Sequence, residues 1–125
     1  MDHSPGFLKL SESARAAVRE VDVEEARRRM SQGAVLIDVR EDLEWEEAHA
    51  KGAIHMGKGV IERDIEKNLP NPDAEIILYC GGGYRSALAA RSLGEMGYRN
   101  VVSMAGGWRA WHAAGGEIEK TDTET

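Results

Sequence analysis

This chain of 125 residues has a single cysteine, Cys80. One thiol makes neither an internal disulfide nor a cysteine-built zinc site, and no His/Asp/Glu cluster shows metal-ligand spacing. Positive charge is in deficit. Sixteen Lys and Arg against 22 Asp and Glu leave a net charge of −6, which argues against nucleic acid and against an anionic membrane surface as partners. No apolar run approaches the ~20 residues of a spanning helix. The N-terminus lacks a basic segment followed by an apolar one, so the reading expects no secretory signal and a cytoplasmic location, where a lone thiol stays reduced. Internal repeats and low-complexity segments are also missing. What remains is one soluble domain, 42% hydrophobic and 30% charged.

The chain is organised around residues 76–86, Ile-Ile-Leu-Tyr-Cys-Gly-Gly-Gly-Tyr-Arg-Ser. A short, unbroken apolar run suits a strand covered on both faces. It leads into Cys80, then into Gly81, Gly82 and Gly83, then into a helical pattern. Successive glycines let backbone N–H groups converge on one point, since no Cβ restricts φ. Amides gathered beside a helix start bind anions, and the atom at their mouth is the Cys80 sulfur. A lone cysteine ending a strand is commonly a small buried hydrophobe. Three adjacent glycines have no use in core packing, and they favour a nucleophilic Cys80 with the amides of residues 81–85 around it.

The remaining elements follow from periodicity and capping. Residues 7–20 carry a helix that starts near Ser11 and packs on the edge of the domain as a structural appendage. Asp22 caps a helix over 23–30, with Glu24 and Glu25 in its first turn and Arg27, Arg28 and Arg29 toward its end, an order that suits the helix dipole. Residues 34–40 form a strand ending in Asp38 and Arg40. An acidic helix over 42–49 carries Trp45, a loop around a brief strand spans 51–59, and a helix with an apolar stripe spans 60–69. Residues 100–104 form a last strand, and Trp108 and Trp111 lie on a short final helix. Strand and helix alternate, so the fold class is α/β, a central parallel β-sheet covered by helices on both faces. The loops after Arg40, Cys80 and Met104 then share one rim. Residues 1–19 are an N-terminal helical extension, 20–117 the domain, and 118–125 a polar, frayed C-terminal tail.

Four stretches together resemble the single-domain rhodanese family. They are Leu36-Ile37-Asp38-Val39-Arg40-Glu41 followed by Glu44-Trp45; His49-Ala50-Lys51-Gly52-Ala53-Ile54; Tyr79-Cys80 through Arg85-Ser86; and Gly106-Gly107-Trp108-Arg109-Ala110-Trp111. The resemblance implies a rhodanese-like fold and a sulfurtransferase. A sulfane sulfur would pass from a donor such as thiosulfate to cyanide or a thiol through a persulfide on Cys80, with no cofactor. The chain departs from the family in reading Ala48-His49-Ala50 and in having Gly57 in a position where proline is common. It also lacks the basic residue that thiosulfate-preferring members often carry just after the cysteine.

Candidate substrate-binding residues are Gly81, Gly82, Gly83, Tyr84, Arg85, Arg40 and Trp108. Arg85 has two open roles, holding a sulfonate-like group or pairing with a carboxylate. Arg40 and Asp38, or Arg40 and Glu44, brace the rim as a pair, and His49 and His55 are read as structural hydrogen-bonders rather than acid or base. The expected partners are a small-molecule sulfur donor and an acceptor that is a small molecule or a protein thiol, with the chain a monomer or homodimer. Two rival readings remain. A cysteine-dependent phosphatase of the same fold needs five residues between cysteine and arginine, whereas four separate Cys80 from Arg85. A non-catalytic rhodanese-like module would have no use for the cysteine.

Overall fold

The computed structural model describes residues 3–120. In chain order the elements are α1 (Pro5–Ala17), β1 (Arg19–Val21), α2 (Val23–Ser31), β2 (Val35–Asp38), α3 (Asp42–Glu47), β3 (His49–Ala50), β4 (Ile54–His55), α4 (Ile61–Asn68), β5 (Ile76–Tyr79), α5 (Tyr84–Glu95), β6 (Val101–Met104), α6 (Gly107–Ala113) and β7 (Ile118–Glu119). Five strands make a parallel sheet in the order β1-β6-β5-β2-β4, the architecture expected from the alternation of elements.

All four residues of β5 are buried, and successive side chains on a strand point to opposite faces. Ile76 and Leu78 pack on one side with Ile61 and Ile65 of α4 and Leu93 of α5. Ile77 and Tyr79 pack on the other with Ala26 of α2 and Trp111 of α6. Each large apolar side chain moved out of water contributes about 1.5–3 kcal/mol, so an uncovered face on β5 would be untenable. Register brings Asp38 level with Tyr79, and Leu78 level with Ser103. The three strands therefore end together, and their loops share a rim. Among the described residues, no helix is long and apolar enough to cross a membrane.

Two local expectations change, and one strand is added. The first helix starts at Pro5 rather than Ser11: Ser4 Oγ accepts from the Phe7 N–H at 3.4 Å, and proline suits the first helical position because its missing N–H would be unpaired there anyway. Ser11 is instead buried in mid-helix, where its hydroxyl donates to the Leu8 carbonyl at 3.3 Å. The edge strand β1 is too short to show a period; it is defined by pairing with β6. The tail is not frayed throughout, since Ile118 and Glu119 pair antiparallel with Ala50 and His49; residues 121–125 lie outside those described. α2 matches expectation, with Asp22 Oδ1 accepting from the Glu25 N–H at 2.8 Å.

α1 lies on the outside of α5, where Ala14 packs with Ala87 and Leu88. That places its first turn beside the first turn of α5, next to the cysteine loop.

Candidate active site

Cys80 follows directly on β5 and is 1% exposed. Residues 81–83 then turn the chain into α5. Gly83 carries the turn with φ +101°, a conformation that L side chains rarely adopt. An added Cβ there would also lie 3.3 Å from the Gly106 amide nitrogen. Gly81 and Gly82 have no such φ, so the conformational demand falls on the third glycine alone. The result is that the Gly83 N–H donates to Cys80 Sγ at 3.1 Å and the Ser86 N–H at 3.4 Å. Ser86 Oγ lies 3.6 Å from the sulfur and 2.8 Å from Ser103 Oγ. Two amides and the positive end of a 12-residue helix thus face one sulfur, and together they favour negative charge on it against the penalty of burial. Of the amides of residues 81–85 expected around the sulfur, only that of Gly83 bonds to Sγ, and the second donor, Ser86, lies just outside that set.

The loop is held from its far side by α6. The Trp108 N–H donates to the Cys80 carbonyl at 2.6 Å, and the Arg109 N–H to the Gly81 carbonyl at 3.2 Å. Gly107 has φ +53°, and a Cβ on it would collide with the Cys80 carbonyl. The Gly106-Gly107 pair is therefore what lets the last helix approach the cysteine loop so closely.

Behind the rim lies a buried polar cluster. Arg40 is 4% exposed, and its guanidinium donates to Asp38 Oδ2 at 2.8 Å and to the Ala48 carbonyl at 2.6 Å. The Tyr79 hydroxyl donates to the same carboxylate at 2.6 Å and accepts from the Ala50 N–H at 3.0 Å. Burial and the neighbouring Asp38 charge push the Tyr79 pKa up, so the phenol keeps the proton it donates. Burial works against the Arg40 charge, yet the Asp38 hydrogen bond and charge outweigh it and the pKa is raised. Arg40 also lies over the Trp108 ring, Cζ to centroid 4.7 Å, a cation–π contact that pins the tryptophan.

A cleft of about 720 Å³ opens over the sulfur. Cys80, Gly81, Gly82, Tyr84, Arg85, Arg40 and Trp108 all line it, while Gly83 stands behind the sulfur. Of the two roles open to Arg85, the geometry has the carboxylate pairing: Nη1 and Nη2 meet Glu44 at 2.8 and 3.2 Å. The Arg85 hydrogen bond holds Glu44 below the usual carboxylate range, helped by the Glu41 N–H. A carboxylate lowered in the folded state stabilises above its unfolded value of 4.5, and that contribution is lost as pH falls through the folded value. The melting-temperature difference between wild type and Glu44→Gln is accordingly expected to be constant above pH 4.5 and to shrink below it. A difference that does not change on acidification would remove Glu44 from the clamp.

Beyond the expected site residues, five more line the cleft: His3, Ser4, Phe7, Glu44 and Arg109. The first three lie at or just before the start of α1, the helix expected to be a structural appendage. His3, Phe7 and Tyr84 form an aromatic cluster with centroids 4.9–6.2 Å apart. Their sequence separation from the loop left no local signal. His49 and His55 do not line the cleft; each stacks on Trp45, with ring centroids 3.4 and 4.9 Å away. His55 Nε2 donates to the Arg40 carbonyl at 2.8 Å and His49 Nδ1 to that of Trp45 at 2.9 Å, so both brace the rim.

The chain is similar to known proteins in sequence and in fold. Thiosulfate sulfurtransferase GlpE of Haemophilus influenzae is 36% identical over 103 residues, 82% of this chain and 96% of that one. A Rhodopseudomonas palustris protein of unknown function, described as a possible tyrosine phosphatase, superposes with a TM-score of 0.80 at 29% identity, over 95% of this chain and 98% of its own. The polysulfide-sulfur transferase of Wolinella succinogenes shares the fold, with a TM-score of 0.78 at 23% identity over 95% of this chain and 90% of its own. The model of the rhodanese-like domain matches residues 22–114, a span holding every strand of the parallel sheet but β1, together with the cysteine loop and its α6 support. The chain belongs to the rhodanese-like domain family.

Proposed function

We propose that this protein is a sulfurtransferase that carries a sulfane sulfur as a persulfide on Cys80. The observation that carries the reading is the sulfur itself, facing the cleft and accepting N–H bonds from Gly83 and Ser86. In the first step the Cys80 thiolate attacks the outer sulfur of thiosulfate. A sulfur–sulfur bond forms, the bond to the sulfonate sulfur breaks, and sulfite leaves with that electron pair. In the second, cyanide or a thiolate attacks the terminal sulfur, giving thiocyanate or a new persulfide and returning the thiolate. Charge and electrons balance in both steps without a cofactor. N–H donors fixed in advance hold an anionic centre with no reorganisation during the reaction, and here they serve thiolate and persulfide alike.

The names of several relatives support the choice of thiosulfate as donor. The phosphatase reading has less to rest on, because four residues separate Cys80 from Arg85 where that loop needs five. The test is a mass spectrum of the protein after incubation with thiosulfate, in parallel with an aryl phosphate assay. One added sulfur and no phosphate release is the expected result. An unchanged mass together with aryl phosphate turnover would replace this reading with the other.

A further inference from the structure

The cleft gathers positive charge in a chain that is otherwise negative. Three arginines and one carboxylate line it: Arg40, Arg85, Arg109 and Glu44, although the whole chain has a net charge of −6. Two of the three arginines are already engaged. Arg40 is held by Asp38 and the Ala48 carbonyl, and Arg85 is held at both forks by Glu44. Arg109 is different. Among the described residues no ion pair and no side-chain hydrogen bond includes it. Its backbone is anchored, since its N–H donates to the Gly81 carbonyl at 3.2 Å. Its guanidinium lies against the loop, with Nη1 3.6 Å and Cζ 4.0 Å from where a Cβ on Gly82 would stand.

We infer that Arg109 is the anion anchor of this cleft, binding the sulfonate of the donor and the sulfite it becomes; this rests on the sulfurtransferase reading above. The chemistry requires such a group. Attack at the outer sulfur of thiosulfate brings one anion toward another and expels a third, and a guanidinium offers paired N–H donors to two oxygens of one sulfonate. The loop carries no cation of its own immediately after Cys80, where Gly81 and Gly82 stand. Arg109 supplies that charge from α6 instead, over the bare face of Gly82 that a side chain would otherwise cover. Glycine at 82 is thus explained by access rather than by φ.

The experiment compares wild type, Arg109→Gln and Arg109→Lys in two ways. Sulfite is titrated calorimetrically into the unloaded protein, and Cys80 is loaded with sulfur from thiosulfate or from inorganic polysulfide, which has no sulfonate. A charge-assisted contact of this kind is worth about tenfold to a hundredfold, so Arg109→Gln is expected to weaken sulfite binding by that factor. The ratio of kcat/KM for thiosulfate to that for polysulfide is expected to fall by about tenfold or more, with Arg109→Lys between the two. Equal sulfite affinity in wild type and Arg109→Gln, or an equal fall with both donors, overturns the assignment. If wild type takes sulfur from neither donor, the sulfurtransferase reading fails, while the sulfite titration still decides whether Arg109 binds the anion.

Discussion

Replacing Cys80 with serine is expected to leave a folded protein that takes up no sulfur and produces no thiocyanate from thiosulfate and cyanide. Serine fits the site, because Sγ is buried and its surroundings offer N–H donors that an oxygen accepts as well. The chemistry does not survive. A serine hydroxyl is a weak nucleophile without an adjacent general base, and among the described residues no histidine except His3, just before α1, lines the cleft. In hydrolases, losing the nucleophile costs about 10⁶ in kcat, which for this protein means turnover at the reagent background. The readouts are the mass of the thiosulfate-treated protein and the thiocyanate assay, with a thermal melt as the control for folding. Turnover near wild type in a well-folded Cys80→Ser protein would move the sulfur to some other acceptor and end the persulfide assignment.

The second large effect is on stability. Asp38→Ala is expected to destabilise the fold by about 3–5 kcal/mol, because it leaves the buried Arg40 charge without its carboxylate. It also strips the Tyr79 hydroxyl of its acceptor. Against a usual total of 5–15 kcal/mol, a loss of that size separates a folded protein from one that is substantially unfolded at ambient temperature. A second variant distinguishes a lost ion pair from a lost shape. Replacing the pair together, as Asp38→Leu with Arg40→Met, removes both charges and is expected to recover much of the stability, since apolar substitutes for buried ion pairs are often neutral or stabilising. Activity should not return with it, because Arg40 also pins Trp108 at the cleft. Chemical denaturation of the single and double variants measures this directly. Equal stability of wild type and Asp38→Ala would show that the cluster carries no net energy.

Both residues were legible in the sequence. Cys80 was legible because its signal is local: an apolar run, a cysteine, three glycines and a helix start occur within eleven residues. The parallel sheet was legible for the same reason, since unbroken apolar strands must be covered on both faces and alternate with helices. So were the Asp22 cap and the pairing of Asp38 with Arg40, two residues apart. The division of labour among the arginines was not. Arg85 meets Glu44 across 41 positions, and Arg109 reaches the loop only because Gly106 and Gly107 let α6 close on Cys80. The first turn of α1 joins the cleft because α1 packs along α5, and β7 pairs with β3 although neither has a pattern of its own. Composition and short-range pattern determined the cysteine's place at the strand end, its loop and the sheet, because each depends on bonds and burial between near neighbours. Tertiary structure alone decided which cations are paired with a carboxylate and which lines the cleft without one among the described residues, because charge pairing is settled by distance in space, and positions far apart in the chain carry no record of it.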